Sequence, residues 1–144
     1  MYTNLNEIML EFSPEELARI TGDPSGVTID QNRVQYAIDN AKDVIDSFLR
    51  SRYPTPFEVV PSLVNFIARE LAIANLYEYY NHNGFLPPTI AKRKSYAMYL
   101  LRQIQEGNLQ LDNIGNFVRP TVVVNKMPEN RLFNDDLLDS FVEL

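Results

Sequence analysis

The chain is 144 residues long, 45% of them hydrophobic and 22% charged, which suits one globular domain burying about 70% of the surface its unfolded form exposes. A formal net charge of −6 opposes general attraction to nucleic acid or anionic membrane. The absence of cysteine excludes a disulfide framework, a thiol nucleophile and a cysteine metal site. The opening Met1-Tyr2-Thr3-Asn4 leads into no basic region with a long apolar run, so no secretory signal is expected. No stretch approaches the ~18 consecutive apolar residues of a membrane-spanning helix, and an aqueous compartment is the expectation.

Charge is unevenly spread. Residues 1–46 carry a net −6, 47–84 balance, 85–106 carry +3 and 107–144 return to −3. Such a chain can pair its acidic end with the basic segment of another copy, although separately solvated faces give the same pattern.

In chain order, Asn4 and Glu7 can form a capping box before a short helix with Leu5, Ile8 and Met9. Ser13-Pro14-Glu15-Glu16 is a stronger start, with serine as cap and proline in the first helical position. The breakers between Thr21 and Gly26 end that helix early. Asp30 caps a first long helix whose Val34, Ile38, Ala41, Ile45, Phe48 and Leu49 recur at three- and four-residue steps, leaving Asn32, Asp39, Asp43 and Asp46 largely elsewhere. Tyr53-Pro54-Thr55-Pro56 stops it. Pro61 or Ser62 opens a second long helix reaching about Tyr80. Its Leu63, Val64, Phe66, Ile67, Leu71, Ile73, Ala74, Leu76 and Tyr77 cover more than one face, the mark of a central helix. Asn81-His82-Asn83-Gly84 ends it. Pro87-Pro88-Thr89 introduces a third, with Ile90, Ala97, Leu100, Leu101 and Ile104 inward and Gly107 as its stop.

The predicted fold is therefore all-α, a helical bundle of three long and two short helices over residues 1–111, with an extended C-terminal arm over 112–144. The expected core is Ile38, Ile45, Leu49, Ile67, Leu71, Ala74, Leu100 and Ile104. In the arm, Val122-Val123-Val124 suggests a short strand, and Asn134 can cap a terminal helix. Its breakers Gly115, Pro120 and Pro128 change the periodicity, and its apolar load is too high for a solvated tail. Phe117, Val118, Val122, Val124, Leu132, Phe133, Leu137 and Phe141 are its candidate interface residues, with Phe133 and Phe141 foremost because buried aromatics carry much of an interface's energy.

Chemistry-bearing groups are few. His82 stands in a polar turn without a flanking carboxylate or nucleophile at useful spacing, and it is the single histidine. The loop from Asp23 to Asp30 has the glycine of a calcium loop, but Thr21 and Asn32 fall where an aspartate and a bidentate glutamate belong, so a turn leading to the Asp30 cap is expected. Asp39, Asp43 and Asp46 share a helix face and read as a solvent-facing stripe suited to a basic partner. Lys92-Arg93-Lys94 with Tyr96 and Tyr99 is the sole hint of nucleic acid, since cations beside aromatics grip phosphates and stack on bases. No catalytic residue, cofactor or metal site is expected.

One extended pattern is more specific. It runs through Gly26, Ile29-Asp30, Val34, Ala37-Ile38, Ala41, Ile45-Asp46, Leu49, Arg52-Tyr53-Pro54, Pro56, Pro61 and Leu63. It continues through Ala68, Leu71-Ala72, Leu76-Tyr77, Tyr96, Leu100, Ile104, Gly107, Leu109 and Leu111. Over about residues 5–111 the chain resembles the Mu-like phage head-completion proteins, which are similar to the wider class of head–tail connector (adaptor) proteins. The helix ending in Arg-Tyr-Pro-x-Pro, shortly before a proline-initiated apolar helix, is the most telling part. The resemblance implies a virion structural protein at the head–tail junction, assembled in the host cytoplasm. It implies a ring of copies, usually dodecameric, beneath the portal and offering a platform to a tail-side connector or tail protein. Genomic DNA passes through such a ring without sequence-specific contact, and an acidic lumen suits that passage. Two other readings are a cytoplasmic helical adaptor with a single protein partner and, more distantly, a DNA-binding regulator using Lys92-Arg93-Lys94.

Overall fold

Every helix needs partners for its first free amides, and the caps that supply them fix where most of these helices begin. A computed structural model describes residues 1–80 and 86–111. In α1 (Leu5–Met9) the Asn4 side chain accepts from Glu7 N at 3.0 Å, and in α2 (Pro14–Ile20) Ser13 Oγ accepts from Glu16 N at 3.2 Å. Asp30 Oδ1 accepts from the amides of Asn32 and Arg33 at 3.0 and 3.2 Å, opening α3 (Gln31–Leu49). Two proline-led starts give α4 (Ser62–Tyr80) and α5 (Pro88–Glu106). α5 ends at Gly107, whose φ of 84° lies in the left-handed region that glycine enters at little cost. A Cβ there would also meet Arg52 Nη1 at 2.2 Å.

The protein is all-α, and no strand occurs among the described residues. The three long helices have 19 residues each, so each is about 28 Å long. α4 packs on both α3 and α5, which also touch each other; α1 lies on α3 and α4, and α2 on α4. From Leu71 to Leu76 every residue of α4 is buried, a full turn and a half, which a helix achieves only when neighbours surround it. Two polar residues are buried in this helix. Asn75 donates from Nδ2 to the Ala37 carbonyl on α3 at 3.1 Å, and Glu70 is met by Arg93 of α5.

Of the eight expected core residues, seven are buried. Leu100 is half-buried, because Leu101, one position farther round α5, takes the inward place with no exposed surface. Met9 and Phe48 are likewise less enclosed than their spacing suggested, Met9 being exposed and Phe48 half-buried. Asn4 and Glu7 face each other as the spacing predicts, and the Glu7 carboxylate also accepts from Thr3 Oγ1 and Asn65 Nδ2 at 2.6 and 2.9 Å; these bonds, with the Asn4 backbone, lower its pKa. The turn at Asn81–Gly84, and the arm with its valine run and Asn134 cap, lie outside the described residues.

Leu71→Ala removes a side chain 3% exposed at the centre of α4. It should destabilise the fold by about 2–5 kcal/mol, read as a lower urea midpoint at unchanged m value.

Candidate functional site

The ionisable residues inside the bundle serve its closure. Tyr2 is buried, and its hydroxyl donates to Asp46 Oδ1 on α3 while accepting from Phe57 N at 3.0 Å. Burial, followed by the adjoining Asp46 carboxylate, pushes the phenol well above its ordinary value. Lys42 Nζ contacts Asp46 Oδ2 at 2.9 Å, and this hydrogen bond raises the lysine's pKa. Asp46 is thus not part of a solvent-facing stripe. Asp39 and Asp43 remain exposed, but the N-terminal segment covers Asp46 and uses its charge.

The basic triplet is divided in the same way. Arg93 grips Glu70 with two bonds, Nε to Oε2 at 2.6 Å and Nη2 to Oε1 at 2.7 Å, while Nη2 also pairs with Glu11. The planar guanidinium matches a carboxylate in this fork geometry, and the contact with Glu70 is the main reason the arginine's pKa is raised. Glu11 extends the cluster to Arg69, whose Nε lies 3.0 Å from Glu11 Oε1 off the N–H direction, so the contact is charge attraction. Lys94 pairs with Glu78. Only Lys92 of the triplet is exposed without an ion pair among the described residues. The basic segment therefore meets the acidic first half of its own chain through Arg93 and Glu11, and of the Lys92-Arg93-Lys94 triplet one lysine is left for a phosphate.

The loop between α2 and α3 is closed by its own aspartate. Asp23 Oδ1 accepts from Ser25 N and Ser25 Oγ, and Oδ2 from the amides of Val27 and Thr28 at 3.1 and 2.7 Å. These donors, the serine hydroxyl first, hold its carboxyl at about 2. Both oxygens are turned into the loop, which is the arrangement of a turn. Beside it lies an open depression of about 550 Å³ bounded by Thr21, Asp30 and Arg33. Arg33 fills part of this space, donating to the Thr21 carbonyl at 2.9 Å and lying over the Tyr80 ring at 4.7 Å.

The Arg52-Tyr53-Pro54 run holds the far end of α5. Arg52 Nη1 donates to the Gln105 carbonyl at 3.4 Å, and the buried Tyr53 hydroxyl accepts from Leu111 N at 3.3 Å. The rings of Tyr53, Phe57 and Tyr2 form a row with centroids 6.1 and 5.7 Å apart, around a loop whose Thr55–Pro56 peptide is cis. The last described residue is therefore tied to the loop after α3.

Two outward helix faces carry exposed tyrosine beside charge. On α3, Tyr36, Asp39 and Asp43 are exposed at positions i, i+3 and i+7, with Tyr79 of α4 against Tyr36 at 5.9 Å. On α5, Lys92, Tyr96, Tyr99 and Arg102 are exposed along one stripe. Tyr36, Tyr96 and Tyr99 each leave more than half of their surface open, at 57%, 54% and 56%, so these rings are free to meet another surface. His82 and the eight candidate residues of the arm, Phe117 to Phe141, lie outside the described residues.

Spacing alone missed Tyr2, Asp46 and the Arg93–Glu70 pair. A signal existed for Glu70, a lone carboxylate within the apolar run of α4, since a buried charge demands a partner. None existed for Tyr2.

Arg93→Ala leaves Glu70, 4% exposed, with its charge buried. The loss should be near about 3 kcal/mol, the lower end for such pairs because Arg93 keeps some solvent, and chemical denaturation measures it. Asp23 titrates lower in the folded chain than its ordinary 3.8, so its contribution is complete above about pH 4 and is lost as pH falls through about 2. Stability of Asp23→Asn should accordingly fall less between those pH values than that of the unaltered chain, with an NMR carboxyl titration locating the midpoint.

Residues 2–117 match the family described as Bacteriophage Mu, Gp36, a span that takes in all five helices. The chain is also similar to the Mu-like prophage FluMu protein gp36 of Haemophilus influenzae, at 30% identity over 73 residues, 48% of this chain and 52% of that protein. It spans about half the length of that curated relative. With the match extending along the whole described bundle, the chain belongs to the Bacteriophage Mu Gp36 family and is a Mu-like phage protein.

Proposed function

We propose that this protein is a subunit of the ring that joins the portal at the capsid vertex to the tail of a Mu-like phage. The observation that carries the reading is the family match along the entire bundle, residues 2–117. The internal chemistry agrees with it, because Asp46, Glu70 and Arg93 are spent on holding helices together. A rigid bundle with exposed tyrosines suits a piece of scaffold, since tyrosine is enriched where proteins meet. In this reading residues 1–111 form the connector domain, and residues 112–144 are a docking arm, able to extend to ~100 Å when fully stretched. The arm engages a neighbouring subunit, the portal or the tail-side protein through Phe117, Val118, Val122, Val124, Leu132, Phe133, Leu137 and Phe141. No catalytic step is assigned to any residue.

An inducible prophage with this gene deleted tests the assignment directly. Electron microscopy of the lysate should show heads and tails unjoined, and adding the purified protein should join them. Normally joined particles from the deletion strain would exclude the role. A chain truncated after Leu111 should keep its helical circular dichroism yet fail to join heads to tails; loss of the helical signal would place the arm in the core instead.

A further inference from the structure

α3 and α5 present opposite charge on their outer faces once the internal pairs are removed. On α3, Asp39 and Asp43 are exposed and make no ion pair among the described residues; Asp39 accepts only from Gln35 Nε2 at 2.9 Å. On α5, Arg93 and Lys94 are consumed by Glu70, Glu11 and Glu78, whereas Lys92 and Arg102 are exposed and unpaired among the described residues. Each charged pair flanks exposed tyrosine, Tyr36 on α3 and Tyr96 with Tyr99 on α5. Both faces therefore combine aromatic rings with charge, and the charges are of opposite sign.

We propose that the outer face of α5 in one copy docks on the outer face of α3 in the next, the stripe from Lys92 to Arg102 against Asp39 and Asp43, with the exposed tyrosines of both faces at the contact. The occupant is a second copy of this chain, because the sign and the aromatic content of each face match the other. Two different faces of one subunit meeting in this way make a head-to-tail contact, which closes into a ring when the rotation permits. Identical faces would set aspartate against aspartate or lysine against lysine, so a two-fold dimer through either face is opposed by like charge. The proposal rests on the ring reading given above and specifies the surfaces the ring uses.

Charge reversal with complementation tests it on the full chain. Asp39→Lys with Asp43→Lys reverses α3, and Lys92→Glu with Arg102→Glu reverses α5. All four positions are exposed, and unchanged helical circular dichroism checks each fold. By native mass spectrometry and sedimentation, the unaltered chain should assemble and each variant alone should remain at monomer mass. An equal mixture of the two variants should regain the assembled mass, because every reversed face then finds its opposite. If both variants assemble like the unaltered chain, the face assignment fails while the ring reading stands. If only the α5 variant fails to assemble, that face meets a segment other than α3 and the proposal is overturned. If the unaltered chain stays monomeric at all concentrations, the ring and the proposal fail together.

Discussion

The burial of α4 is the constraint on which the rest of the structure depends. Its apolar residues run nearly all the way round, so water must be removed from every side, and no single neighbour can do that. α3 and α5 cover the larger part, and the short α1 and α2 complete the enclosure. Where that enclosure is tightest, the two buried polar side chains of α4 have little access to solvent and need partners. Asn75 takes the Ala37 carbonyl, and Glu70 takes the forked Arg93. The helix that supplies most of the apolar burial thereby also sets how α3 and α5 stand against it, since each of those contacts admits little displacement.

A second consequence concerns charge. The acidic first third and the basic segment before Gly107 are not two free poles. Arg93 reaches Glu11 as well as Glu70, and Lys94 reaches Glu78, so part of the chain's polarity is neutralised inside one molecule. What remains outside is thinner but better placed: two aspartates on one helix and two cations on another, each beside exposed tyrosine. Exposed ion pairs contribute little to affinity singly, whereas aromatic area contributes more, and the charges serve mainly to choose the partner face and its register. That division of labour is what the proposed head-to-tail contact requires.

The Arg52-Tyr53-Pro54 run joins these two themes. Arg52 lies where Gly107 leaves room for it, and Tyr53 ties Leu111 to the loop after α3. The bundle is tied together up to Leu111, the last described residue.

The five helices of the described residues, and their limits, are written in local signals of the sequence. Caps at Asn4, Ser13 and Asp30, prolines at helix starts and the left-handed Gly107 are local devices, acting through the backbone of a few neighbouring residues. The sequence determined the central place of α4 as well, because apolar residues on all faces leave no solvent side. The fate of the charges depends instead on packing between distant segments. Asp39 and Asp46 are seven residues apart and lie at nearly the same angle on α3, yet one is exposed and the other is buried beneath Tyr2. Likewise Lys92, Arg93 and Lys94 are adjacent in the chain, and only the arginine points at a carboxylate that α4 has removed from water. Helical periodicity fixes the direction of a side chain around its own axis, but whether another segment waits there is set by packing between distant parts of the chain.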